Sequence, residues 1–192
     1  MGGWVNRLRM FVMGKAAAGS WNNVYELGVN GNTSENVLNR MEFEMFQRTI
    51  PEQGDIFVIA VGINDSVFLK DQDSNLVVAG QFKENLQYIT ALAKKYSERI
   101  VFVGLTPVDE KSANPKGCIV CYENKYISEY NNIIKSVCEK NDLIFIDVLS
   151  ELQKSDYKKL LDEDGLHPNS LGHQRIFEIV RDSFIKNKLI KS

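Results

Sequence analysis

Only two histidines, His167 and His173, occur in this chain, with three cysteines and four prolines among 192 residues. No apolar stretch approaches the roughly 20 residues that a bilayer-crossing helix requires. Charge of one sign is not in excess either. A formal net charge of −2 makes no electrostatic case for nucleic acid or an anionic membrane surface. Runs such as Lys94-Lys95 and Lys186-Asn187-Lys188 read as solvated helix faces. The odd cysteine count, with Cys138 in a helical pattern, favours a reducing, cytoplasmic setting over a secreted disulfide framework. Cys118-Ile119-Val120-Cys121 has the spacing of half a zinc site, but no second pair supplies the other two ligands. It also lacks the strand-then-helix context of a redox motif, so it reads as an ordinary pair of loop thiols.

The start of the chain carries no address signal in this reading. Asn6 breaks the myristoylation pattern, and Met10-Phe11-Val12-Met13 is too short for the apolar core of a signal peptide. Trp4, Leu8, Phe11 and Val12 recur at helical spacing instead, so the chain opens in an amphipathic helix.

What is present is a strict alternation of buried runs and helical patterns. Strands are expected near 24–29, 55–61, 100–105 and 143–148. Ile56-Phe57-Val58-Ile59-Ala60-Val61 and Ile100-Val101-Phe102-Val103 are continuous apolar runs, as strands buried on both faces require. Helical faces follow: Val37, Leu38, Met41 and Met45; then Phe82, Leu86, Ile89, Ala93 and Tyr96. Later come Tyr126, Tyr130, Ile133, Ile134 and Val137, and finally Ile176, Ile179, Val180 and Phe184. Asn32 and Glu35 are spaced as an N-cap and its N3 partner. With no repeat, linker or low-complexity segment, the expectation is one domain over 1–192. Its class is α/β, a three-layer α/β/α sandwich with a parallel, flavodoxin-like sheet. The stretch between Thr106 and Asn124 is the least regular and reads as a loop beside the site.

In such a sheet, function gathers at the carboxyl ends of the strands. Three clusters follow strands directly: Gly28 to Thr33, Gly62-Ile63-Asn64-Asp65, and Thr106 to Asp109. A fourth, Asp164-Gly165-Leu166-His167-Pro168, lies in the loop after the last strand. An Asp three residues before a His can accept from one ring nitrogen, fix the donor tautomer and leave the other nitrogen to act as a base. Asn64 can present a side-chain amide, and Gly31 an unobstructed backbone N–H, to a developing oxyanion. Taken singly, these are turn glycines and a helix cap; together they converge on one edge. His173 reads as a packing or hydrogen-bonding helix residue.

In order and context the clusters resemble the SGNH (GDSL-like) esterase and lipase family. Gly31-Asn32-Thr33-Ser34 is similar to its second block, Gly62-x-Asn64-Asp65 to its third, and Asp164-x-x-His167-Pro168 to its fifth. The resemblance implies oxyanion donors at Gly31 and Asn64 and triad members at Asp164 and His167. It also implies hydrolysis of carboxylic esters or thioesters, acyl or acetyl, on lipids, sugars or small alcohols, through an acyl-enzyme without metal or cofactor. The family's Gly-Asp-Ser, which carries the nucleophile, occurs nowhere in this sequence. In similar proteins it precedes the tryptophan that Trp4 resembles, so the expectation is an N-terminally truncated domain lacking its first strand, with the nucleophile unknown. Ser20, Ser34 and Ser66 make poor substitutes, since none sits on a strand-to-helix elbow. Two other readings compete: a non-catalytic binding module on the same fold, and a metal-dependent hydrolase built on Asp164, His167 and His173. Acyl length, set by walls such as 66–80 and 106–124, and oligomeric state are not legible from sequence.

Overall fold

The computed structural model describes residues 2–15, 22–50 and 54–190. Ser20 lies outside them. Helix α1 (Trp4–Gly14) comes first, as its apolar spacing predicts, and its leading amide at Trp4 donates to Nδ1 of His173, 3.4 Å away. Helix α2 (Ser34–Arg48) follows. Its cap is Thr33 rather than Asn32. The Thr33 N–H donates to the Asn36 side chain at 3.0 Å, and the Thr33 hydroxyl accepts from the Asn36 N–H, a closed capping box. Asn32 is unavailable for capping because its side-chain oxygen accepts from Arg40 Nε at 3.1 Å.

The chain continues through β1 (Phe57–Ile59), β2 (Phe68–Leu69), β3 (Ser74–Asn75), α3 (Ala79–Ala93), β4 (Ile100–Val103), α4 (Glu110–Ala113) and β5 (Val120–Cys121). It closes with α5 (Asn124–Asn141), β6 (Ile144–Ile146), α6 (Val148–Gln153), a 3-10 turn over Tyr157–Leu160, and α7 (Ser170–Lys186). Strands β1, β4 and β6 form a parallel sheet in the order β1-β4-β6, with Val58 opposite Val101 and Phe102 opposite Phe145.

Period-two alternation then sorts the helices into two layers. Ile100 and Phe102 face α2, α3 and α5 in one core, with Met41, Phe82, Leu86, Ile89, Ile127, Tyr130 and Ile134. Val101 and Val103 face the other, with Leu8 of α1, Leu152 of α6, and Ile176, Val180 and Phe184 of α7. Each fully buried apolar side chain stabilises by about 1.5–3 kcal/mol. Continuous apolar strands are therefore the signature of helices on both faces, and that is the arrangement observed.

Two expectations need correction. The segment 24–29 is not a strand: it is extended chain without a ladder. Its carbonyls bond side chains instead, Val24 O accepting from Arg9 Nε and Leu27 O from Arg40. A short apolar run becomes a strand only where a neighbour offers paired backbone, and none among the described residues does. The second concerns 66–80 and 106–124, which are not merely loops. Short β2 pairs antiparallel with β3 and with β5, forming a small second sheet. No periodicity can announce strands of two residues.

Candidate active site

Asp164 and His167 meet as their spacing demands. Oδ2 of Asp164 lies 2.6 Å from Nδ1 of His167, while Oδ1 accepts the backbone N–H groups of Leu166 and His167, each at 2.9 Å. The turn that makes this possible is anchored on three sides. Asp162 N–H donates to His167 O at 2.7 Å, Gly165 N–H to Asp162 O at 2.9 Å, and Asp109 N–H to Gly165 O at 2.8 Å. Gly165 has φ +67°, and a Cβ there would sit 2.8 Å from Asp109 O. Only glycine fits this crossing of two loops. Asp109 itself is tied to Lys158 at 2.8 Å, and that bond foremost holds its carboxyl below the usual range.

Partial burial pushes the Asp164 carboxyl upward, but the His167 ring and the two backbone N–H bonds outweigh it and bring it down to about 2. Stability contributed by a depressed carboxyl is complete above its ordinary value, 3.8 here, and drains away as pH falls through about 2. The gap in urea midpoint between the wild-type chain and Asp164→Asn is therefore expected to be widest above pH ~4 and to close toward pH ~2. A gap that widened on acidification would contradict the bonding described. The pair is open to solvent: the His167 side chain is 71% exposed.

The second constellation joins the loops after β1 and before α2. Asn64 Nδ2 donates to Asn32 O at 2.9 Å, which orients the amide and leaves its second N–H free for an acceptor. Gly31 lies one residue before that carbonyl with φ +77°. Gly62 has φ +129°, and a Cβ on it would press into the Phe82 ring at 2.9 Å. Asp65 is fully buried. It does not cap a helix of its own, as its position after a strand suggests, but clamps the start of α2. Its carboxylate accepts Ser34 N–H at 2.9 and 3.1 Å and the Ser34 hydroxyl, while Asn85 donates to that hydroxyl at 2.9 Å. Burial raises the Asp65 carboxyl and the Ser34 bonds pull it back.

The structure thus brings Asp164 to His167, and Asn64 to the Gly31–Asn32 turn. Ile63 and Leu166, neighbours of Asn64 and His167, pack on the same core cluster. Ser34 and Ser66 are buried and committed. Ser34 is held by Asp65, and the Ser66 hydroxyl donates to Ile63 O at 2.8 Å, in a turn that leads to β2 rather than into a helix. His173 serves α1, its ring held below the ordinary value by burial first and then by the charges of Arg7 and His167. Sequence reasoning missed the Asp65–Ser34–Asn85 network, since partners 31 and 51 residues apart leave no local signal. A surface hollow of about 420 Å³ lies between α1, residues 23–27 and Arg48; none of the residues singled out above for chemistry lines it.

With this geometry in place, residues 2–175 match the sequence model of the GDSL-like Lipase/Acylhydrolase family. The chain belongs to that family. Solved structures agree in fold. A lipase/acylhydrolase from Enterococcus faecalis superposes with a TM-score of 0.75 at 19% identity, covering 96% of this chain and 85% of its own. An acetylxylan esterase from Geobacillus stearothermophilus superposes with a TM-score of 0.70 at 20% identity, covering 96% and 80%. An α/β hydrolase from the metagenome of Lake Arreo, Spain, superposes with a TM-score of 0.72 at 18% identity, covering 94% and 80%. No curated protein matches the chain. Members of that family are lipases and acylhydrolases, so the family's chemistry is ester hydrolysis. Among the described residues no helix is long and apolar enough to cross a membrane.

Proposed function

We propose that this GDSL-like domain is a serine-type hydrolase of acyl or acetyl esters or thioesters, working through an acyl-enzyme. In this reading Asp164 orients His167, His167 is the general base, and Gly31 N–H and the free N–H of Asn64 receive the oxyanion. In this reading the attacking serine is that of the family's Gly-Asp-Ser, a sequence that the 192 residues do not contain. The observation that carries the reading is the 2.6 Å contact between Asp164 Oδ2 and His167 Nδ1. It sets the tautomer in which Nε2 accepts a proton, and Nε2 has no bond among the described residues. A pocket that only binds has no use for such a pair, which argues against a non-catalytic module. The esterases that share the fold favour a small ester, an acetylated sugar among the candidates.

The chemistry runs in two steps. His167 takes the serine proton as the hydroxyl attacks the acyl carbon, then returns it to the departing alcohol; water repeats the sequence and frees the acid. Throughout, the Asp164 carboxylate stabilises the imidazolium.

Hydrolysis of a short acyl ester and labelling by a fluorophosphonate test this on two forms: the 192-residue chain, and the chain extended by an in-frame upstream segment with Gly-Asp-Ser. The short form is expected to stay unlabelled, with a rate no more than roughly 10³-fold above water from donors and binding alone. The extended form is expected to be labelled and active. Full activity of the short form, lost on replacing Ser20, Ser34 or Ser66, would show the nucleophile to be misassigned. Activity that tracks added metal would rule out the serine mechanism.

A further inference from the structure

The two sulfurs of the Cys118-Ile119-Val120-Cys121 segment are in contact. Their Sγ atoms lie 2.8 Å apart, closer than unbonded sulfurs rest and approaching the ~2.05 Å of a disulfide. Both cysteines are free, and both are held by backbone that does not depend on a bond between them. Cys118 closes a turn, its N–H donating to Pro115 O at 3.0 Å, with Gly117 at φ +85° supplying the positive φ that a type II turn needs. Cys121 is fixed in β5 opposite Phe68, and Lys70 N–H donates to Ile119 O at 2.9 Å between them. The pair is therefore presented ready for closure, with little backbone left to rearrange.

Their surroundings differ in a useful way. Cys118 is half-buried, and the Lys70 ammonium lies 3.7 Å from its sulfur. Cys121 is 1% exposed, and burial foremost keeps its thiol protonated. One sulfur is placed to meet a reagent from solvent and the other to finish the reaction from inside. Cys138 is an internal contrast: buried on α5, its thiol is pushed up to about 12 by burial.

We propose that Cys118 and Cys121 are a reversible dithiol–disulfide pair, oxidised by exchange with a low-molecular-weight disulfide. The Cys118 thiolate attacks one sulfur of the reagent, breaks its S–S bond and expels one thiolate, which takes up a proton. Cys121 then gives up its proton and attacks the Cys118 sulfur, and the second reagent thiolate leaves and is protonated. Two electrons pass from the pair to the reagent; one internal disulfide and two small thiols result. The closed bond pins the 115–121 turn to β2, the strand that follows Asn64 and Asp65. The proposal stands apart from the ester-hydrolase reading, since it needs neither substrate nor nucleophile.

The 192-residue chain, treated with oxidised glutathione, trapped with N-ethylmaleimide and weighed intact, tests it. The wild-type chain is expected to become two hydrogens lighter, to retain no glutathione, and to take one maleimide, at Cys138, only after unfolding. Reduced glutathione should reverse the change. Cys121→Ser is expected to stop at one glutathione, on Cys118. A glutathione adduct that persists on the wild-type chain, or three thiols that all remain alkylatable, would overturn the proposal.

Discussion

Alanine at His167, in the form of the chain that carries a Gly-Asp-Ser segment, is expected to lower kcat/KM for a short acyl ester by on the order of 10⁴-fold or more, with KM changed far less. The imidazole is the only group that the Asp164 turn is built to orient, and a hydroxyl without a base is a poor nucleophile at neutral pH. Asp164→Asn should come close to the same loss. With its oxygen kept by the Leu166 and His167 N–H groups, the amide turns its NH2 donor toward Nδ1, which favours the wrong tautomer, and the charge that stabilises the imidazolium is lost. Initial rates over a substrate series measure both variants, with circular dichroism confirming the fold. A loss of less than tenfold in either would detach the pair from the chemistry.

Gly172→Ala is expected to be the most damaging small substitution in the lower half of the chain. Gly172 sits in the first turn of α7, where a Cβ would lie 2.1 Å from Leu160 O, a backbone atom with no rotamer in which to escape. The same contact surface is fixed by Asn169, whose Nδ2 donates to Lys159 O and Leu161 O while its Oδ1 caps the Leu171 and Gly172 amides. Prising the helix away therefore displaces Pro168 and His167 as well as the core. A cost of about 3 kcal/mol, the upper part of the usual overpacking range, translates to a Tm lowered by about 6–12 °C in a domain this size. Gly80→Ala is the control: on α3 its Cβ meets open space, and alanine is the better helix former. If Gly172→Ala melted with Gly80→Ala, the packing of α7 on residues 157–161 would be misdescribed.

The layers of this fold were legible because each buried run is local and long enough to show a period. Ile100-Val101-Phe102-Val103 and the α3, α5 and α7 faces sit where the spacing predicts, and Asp164 meets His167 because they lie three positions apart. What stayed hidden depends on contacts far apart in sequence. Whether Val24 to Val29 pairs as a strand is decided by its neighbours, not by its own residues. Asp65 was legible as a polar residue after a strand, but its clamp on Ser34 was not. A carboxylate with no exposed surface must find its donors in three dimensions. The cap of α2 moved by one residue for a similar reason, because Arg40, eight positions along, draws the Asn32 side chain away.

Strand β1 lies at the rim of the parallel sheet, with one side unladdered among the described residues. The residues around it, Phe57-Val58-Ile59-Ala60-Val61, include no charge and no proline, and Val58 is 38% exposed. Natural sheets usually blunt such a rim with lysine, proline or a bulge. Without these, the row of unpaired N–H and C=O groups is a template for any extended peptide, including the same five residues of another molecule. Precipitation on concentration is expected to be slowed in Val58→Lys, which places a charge on this rim.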